Sequence, residues 1–143
     1  ADKSGYGYDM HMNENAICRD FDVESGLALN SESELKLENG FAAFTKDFFD
    51  NGAYVVENNQ THEVSLRDPA GKNYLNVYFP EAPLFGLWSA EKKNAPYAAI
   101  EPWFGRCDKE DFNGSLEERE WGHALEQGAC FQAAYTIEIA GED

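Results

Sequence analysis

The sequence predicts an all-β fold, an antiparallel β-sandwich. Three observations predict it. Apolar side chains recur at every second residue in most of the patterned stretches, turn residues separate those stretches, and helical spacing is scarce. In "YGYDMHM" Tyr6, Tyr8, Met10 and Met12 share one face, with Gly7, Asp9 and His11 opposite. In "THEVSLRDPAGKNYLNVYF" two alternating runs flank "DPAG". His62, Val64 and Leu66 line one face of the first run, and Leu75, Val77 and Phe79 one face of the second. Pro69 fixes its own backbone angle and Gly71 accepts a positive one, so residues 62–79 read as a β-hairpin.

Shorter strand candidates follow in "GLAL", "ELKL", "AYVV", "LFGLWS" and "YAAIEPW", with Asn39-Gly40 and Gln127-Gly128 as punctuation. The clearest strand is "GACFQAAYTIEIA", where Phe131, Ala133, Tyr135, Ile137 and Ile139 point one way and Gln132, Thr136 and Glu138 the other. Two short segments have helical character. "TKDFFDNG" offers Thr45 as an N-cap and Gly52 as a terminator, with Phe41, Phe44 and Phe48 spaced for one face. "SLEERE" fits a single turn or an extended edge. The phenylalanines over residues 41–49 read as core.

The chain has 143 residues, which suits one domain, residues 1–143, with no internal repeat or linker. Its hydrophobic fraction of 43% and aromatic fraction of 14% suffice for a folded core. The formal charge of −16 repels phosphate backbones and anionic headgroups, so neither nucleic acid nor a membrane surface is expected as a partner. No apolar run approaches the ~20 residues that span a bilayer. Cys18, Cys107 and Cys130 have neither disulfide-framework nor zinc-ligand spacing, which fits a cytoplasmic protein without a metal. With 11 Lys and Arg residues spread along the chain, no phosphate-binding cluster stands out. Glycine-rich phosphate loops, serine-nucleophile motifs and metal-binding histidine pairs are absent, and no cofactor is expected.

One acid stands out. In "YAAIEPW", Glu101 shares a face with Tyr97, Ala99 and Trp103, while Ala98 and Ile100 face the other way. A carboxylate among apolar neighbours is costly to desolvate, so it turns to water, finds a partner, or has a use. Pro102 cannot donate to a ladder, which places this strand at an edge or at its end. Aromatic rings stack on the apolar face of a pyranose and a carboxylate accepts a hydroxyl hydrogen bond, so the pattern suits sugar recognition. It also suits a solvated acid on a strand rim. Arg106 and Asp108 follow in "GRCD", either as loop binding groups or as a surface ion pair. Trp88, Trp103 and Trp121 can stack on a ligand or pack. His11, His62 and His123 are scattered, as exposed strand histidines are.

"LFGLWS", "APYAAIEPWFGRCD" and "GSLEEREWGHALEQGACFQAAYTIEI" together resemble the C-terminal half of the aldose 1-epimerase (galactose mutarotase-like) family, in its bacterial lactose-operon epimerase-like branch. The matching residues are Leu87-Trp88, Ala95-Pro96, Glu101-Pro102-Trp103, Gly105 with Asp108, and Gly128 onward. The resemblance implies that the chain is the C-terminal portion of a larger mutarotase-like β-supersandwich. It implies interconversion of the α and β anomers of free aldoses, with Glu101 as general base. Trp103, Arg106, Asp108, Trp88 and Asp50 are the implied sugar contacts. In the family an aspartate sits in the segment matching "FFDNGAYVV"; the position here is Gly52, with Asp50 beside it. The family's acid is a histidine in a Gly-His-Pro motif of the N-terminal half. His11, His62 and His123 do not match it, so the chain alone is expected to be inactive. A non-catalytic carbohydrate-binding sandwich is the alternative, and a domain with no sugar ligand a third. Strand edges left open by a missing half imply self-association.

Overall fold

The alternating runs pair into ten strands among the described residues. The computed structural model describes residues 2–141. One sheet contains β1 (Gly7–Asp9), β4 (Phe41–Ala43), β6 (Glu63–Arg67), β7 (Asn73–Tyr78) and β10 (Thr136–Ile139), in the order β10-β7-β6-β1-β4. The other contains β2 (Ala16–Phe21), β3 (Ala28–Leu35), β5 (Tyr54–Val56), β8 (Leu84–Trp88) and β9 (Ala99–Trp103), in the order β3-β2-β5-β8-β9. Every neighbouring pair is antiparallel. The two inner faces enclose one core, as a sandwich requires. No helix is long and apolar enough to cross a membrane.

The period-two faces hold. Tyr8, Met10, Val64, Val77 and Phe79 are buried in the core, with Tyr6, Met12, Leu66 and Leu75 packed against it. The hairpin turns at Asp68, whose Oδ1 accepts the amides of Ala70 and Lys72 at 2.9 Å each, while Gly71 takes a φ of +86°. Tyr8, Phe44, Phe48 and Phe49 form an aromatic cluster with centroids 4.8–6.3 Å apart. Phe79 and Phe85 meet across the two layers at 5.1 Å. The Tyr8 hydroxyl crosses the core to donate to the Ala99 carbonyl at 2.8 Å, tying the first sheet to β9.

Three expectations change. Residues 45–52 form no helix. They make successive tight turns, with Phe48 N–H on Thr45 O and Gly52 N–H on Phe49 O, because adjacent Phe48 and Phe49 are both drawn into the core. The Phe41 spacing belongs instead to β4, whose Phe41 ring lies against Gly7, where any Cβ would overlap it and the Ala42 carbonyl. The long C-terminal strand forms its ladder only over β10; residues 129–135 carry the pattern without one. "SLEERE" starts with a single 3-10 turn, Leu116–Glu118, closed by a Ser115–Glu118 capping box. Cys18, Cys107 and Cys130 are free thiols, and burial pushes Cys18 up to about 12.

Asp9 is the buried acid of the first sheet. Arg67 donates to its Oδ2, as does Asn73 Nδ2 at 3.1 Å, and the His11 amide reaches Oδ1 at 3.2 Å. Burial pushes its pKa up, but those hydrogen bonds and the Arg67 charge outweigh burial and hold it below its ordinary 3.8. A carboxyl depressed on folding stabilises the fold above its unfolded pKa, and that stability is lost as pH falls through the folded value. Urea denaturation at a series of pH values is expected to show stability falling once pH drops below the unfolded carboxyl value of about 3.9. Asp9→Asn is expected to be less stable at neutrality and to flatten that acid limb; an unchanged acid limb rejects the assignment.

Candidate functional site on the outer face of the second sheet

Alternation decides which side chains share the outer face. Ala98 and Ile100 pack against the core, so Glu101 and Trp103 point outward from β9, as their spacing predicts. Register carries this across the sheet. Glu101 lies opposite Gly86, Gly86 opposite Val55, Val55 opposite Arg19, and Arg19 opposite Glu32. On one side of Glu101, Leu84 faces Trp103; on the other, Trp88 faces Ala99. Trp88 meets the exposed Tyr97 ring at 5.7 Å. The acid thus sits between two aromatic positions of its own sheet face. β9 is the sheet edge, where Pro102 needs no ladder donor on its open side.

Gly86 explains how Trp103 reaches over the neighbouring strand. A Cβ there would stand 2.9 Å from Trp103 Cζ2 and 3.5 Å from Glu101 Oε2. The indole therefore lies across the bare backbone of β8, and its Nε1–H donates to Glu101 Oε2 at 3.3 Å. A carboxylate has about four acceptor sites, so one long hydrogen bond leaves Glu101 able to take a ligand hydroxyl. Glu101 is half-buried. Burial holds the Tyr8 phenol, beneath the strand, above its ordinary range, and the Glu101 charge adds to that shift.

Arg106 is buried and its guanidinium is engaged by the fold. Nε donates to Glu57, Nη2 to Glu120, and Nη1 to the Cys107 carbonyl at 2.9 Å. Burial opposes its charge, but Glu57 and Glu120 raise its pKa further. Glu57 is itself buried and takes Arg19 Nε at 3.4 Å on its other oxygen. Asp108 does not pair with Arg106; it accepts Arg119 Nε at 2.7 Å. Its carbonyl accepts the Ala28 amide at 3.0 Å, so the segment leaving β9 crosses to β3 at the opposite edge.

Two clefts are lined by other residues. Arg106, Asp108, Lys109 and Glu120 help line one of about 360 Å³. Asp50 lines another of about 620 Å³ with Lys3, Lys46 and Lys92. Glu101 lines neither. The predicted residues therefore divide into three groups: Glu101, Trp103 and Trp88 on the strand face, Arg106 and Asp108 beside the first cleft, and Asp50 in the second. Trp121 is half-buried, and its carbonyl lies 3.1 Å from where a Gly105 Cβ would stand. Sequence reasoning missed Glu57, Arg19 and Gly86. Gly86 carried a signal, since an isolated glycine inside a strand marks a close approach; Glu57 and Arg19 carried none.

Among solved structures, a galactose mutarotase related enzyme from Lactobacillus acidophilus superposes with a TM-score of 0.84 at 28% identity, over 99% of this chain. The fold is galactose mutarotase-like. A galactose mutarotase-like protein from Lactobacillus casei shares that fold with a TM-score of 0.81 at 21% identity, over 96% of this chain. The chain spans about half the length of either structure, 47% in each case. No protein-family model and no curated protein matches the chain.

On this mutarotase-like frame, Glu57 bears the clearest energetic load. Removing one partner of a buried ion pair leaves an uncompensated charge, at a cost of about 3–5 kcal/mol. Glu57→Gln takes one carboxylate from Arg19 and Arg106 together, each keeping a second one, Glu32 or Glu120, so chemical denaturation is expected to show a loss at the lower end of that range, about 3 kcal/mol. A loss under about 0.5 kcal/mol, typical of surface changes, contradicts the assignment.

Proposed function

We propose that this chain is the base-bearing, C-terminal portion of an aldose 1-epimerase-like sandwich that interconverts the α and β anomers of a free aldose. The observation that carries the reading is the position of Glu101: outward on an edge strand, under a tryptophan donor, opposite a glycine, in a galactose mutarotase-like fold. In this reading the pyranose lies against Trp103 and Trp88. Glu101 takes the proton of the anomeric hydroxyl. As the C1–O5 bond breaks, an acid protonates the ring oxygen and the open-chain aldehyde forms. Rotation about the C1–C2 bond presents the other face of the carbonyl. Reclosure returns both protons, with no net change in oxidation state. Each well-placed acid or base contributes about 10²–10⁴-fold.

The acid comes from outside this chain. His11 bonds Ser65 Oγ at 2.8 Å on the first sheet, His62 bonds the Phe79 carbonyl at 3.1 Å, and His123 bonds the Phe104 carbonyl. None of these contacts brings an imidazole to Glu101. That same observation favours a second reading, a module that binds sugar without turning it over. Arg106 and Asp108 shape the loop beside the site, and Asp50 stands in the other cleft.

In the polypeptide that includes the remaining half of the sandwich, Glu101→Gln is expected to keep the fold and lower anomer exchange by at least about 10²-fold. Polarimetry on freshly dissolved α-glucose and α-galactose measures it. An unchanged rate rejects Glu101 as the base. A wild-type rate equal to the spontaneous one, with sugar still bound, selects the binding module.

A further inference from the structure

We infer that the cleft between the N-terminal segment, the turns after β4 and the β8–β9 loop is a binding site for an acidic sugar, a hexose carrying a phosphate or a carboxylate. The site stands apart from Glu101, which does not line this cleft.

Three segments distant in sequence build it. The cleft has a volume of about 620 Å³, which suits a small molecule. The Phe44 amide donates to the Tyr6 carbonyl at 2.9 Å and joins the turns after β4 to the N-terminal segment. Lys3 Nζ donates to Ser89 Oγ at 2.8 Å and joins that segment to the β8–β9 loop. Lys3, Lys46 and Lys92 thereby converge, one from each segment. No local run of basic residues announces them.

The charge of these lysines is unused. Acids outnumber bases 27 to 11, and all four arginines have carboxylate partners. Among the described residues, Lys3, Lys46 and Lys92 make no ion pair. In a chain of charge −16, unpaired cations gathered in one concavity are the exception. Lys3 is held in place. Ser89 is fully buried and gives its own proton to the Tyr97 carbonyl at 2.8 Å, so it meets Lys3 as an acceptor. The Phe49 ring lies 5.1 Å from the same ammonium. An ammonium has three donors, so two remain for a ligand. Burial lowers the Lys3 pKa, and an anion beside it reverses that cost. Lys92 takes a φ of +52° and Asn94 a φ of +43°. Such backbone is costly for these residues and concentrates at ligand sites.

Three acids make the ligand a sugar rather than a bare anion. Asp2, Asp47 and Asp50 line the same cleft. Asp47 accepts Thr45 Oγ1 at 2.8 Å and Asp2 accepts the Ser4 amide at 2.9 Å. Those bonds hold both carboxyls below their ordinary 3.8, so both are ionised at neutrality. The Asp50 carboxylate accepts no hydrogen bond among the described residues. Carboxylates take hydroxyls, and lysines take a phosphate or a carboxylate. A plain hexose leaves the lysines without a counter-charge. A bare phosphate meets three acids with no hydroxyl to offer them.

The test is an NMR titration of backbone amides of the 143-residue chain at low salt, with glucose, glucose 6-phosphate, glucuronate and inorganic phosphate as probes. Glucose 6-phosphate is expected to saturate, to move signals of residues 44–50 and 89–94, and to bind at least about tenfold tighter than glucose. Lys46→Gln with Lys92→Gln is expected to weaken it roughly tenfold or more and to leave the melting temperature unchanged, since both lysines are exposed. Lys36→Gln with Lys72→Gln, the same change in net charge, is expected to leave binding as it was. Asp50→Asn is expected to weaken glucose 6-phosphate but not inorganic phosphate. Tighter binding of glucuronate than of glucose 6-phosphate supports the site and assigns its acidic group as a carboxylate. Glu101→Gln is expected to change nothing here, so this site and the proposed base are read separately. Glucose bound as tightly as glucose 6-phosphate overturns the inference, as does binding that survives loss of Lys46 and Lys92. Inorganic phosphate bound as tightly as the sugar phosphate overturns the sugar assignment, and no saturable binding by either acidic sugar overturns the whole.

Discussion

A buried carboxylate between two arginines organises the outer face of the second sheet. Glu57 takes Arg19 on one oxygen and Arg106 on the other, and each arginine reaches a different part of the chain. Arg19 stands on β2 and gives Nη2 to Glu32 on β3 and Nη1 to the carbonyls of Asn30 and Ser31. Arg106 lies three residues beyond β9 and carries Glu120, which also holds Lys109 at 3.1 Å. A lone carboxylate at this depth would be strongly unfavourable; paired twice, it fixes the exit of β9 to β5. The placement of Glu101 and Trp103 therefore depends on a polar network that touches neither. Arg106 holds the strand end through Glu57 and Glu120.

Much of the fold was legible because a half-buried sheet writes its period into the sequence. The hairpin over residues 62–79 shows alternation, a Pro-Gly turn and a side chain, Asp68, that can cap it. β2 was not legible. Its inward Ala16 and Cys18 are small, while Ile17 points outward, so the expected contrast between faces is reversed in size. β4 was obscured because Phe41, Phe44 and Phe48 have helical spacing, although they belong to a strand and the turns after it. The C-terminal run shows the converse. Its pattern is strong, but a strand forms only where a neighbour exists, and β7 reaches only Thr136–Ile139.

The candidate site divides in the same way. The outward face of Glu101 and Trp103 follows from a spacing of two, and the edge position from Pro102. The Glu57–Arg106 pair joins residues 49 apart in sequence and has no local signature. The hydrogen bond from Trp103 to Glu101 depends on Gly86, which becomes a neighbour only through strand register. In the proposed reading, the acid that works with Glu101 comes from outside the chain.

In the proposed reading, the corner formed by Glu101, Trp103 and Trp88 seats an aldose. The most direct measurement is the tryptophan indole N–H region of the two-dimensional nitrogen–proton NMR spectrum, with the three signals assigned by single Trp→Phe variants. It is followed as galactose or glucose is added to millimolar affinity range, where a half-built site is expected to bind. Saturable movement of the Trp103 signal, a smaller shift of Trp88 and a still Trp121 are expected. A Trp103 signal that stays in place through the titration, or three signals that drift together in proportion to added sugar, contradicts it.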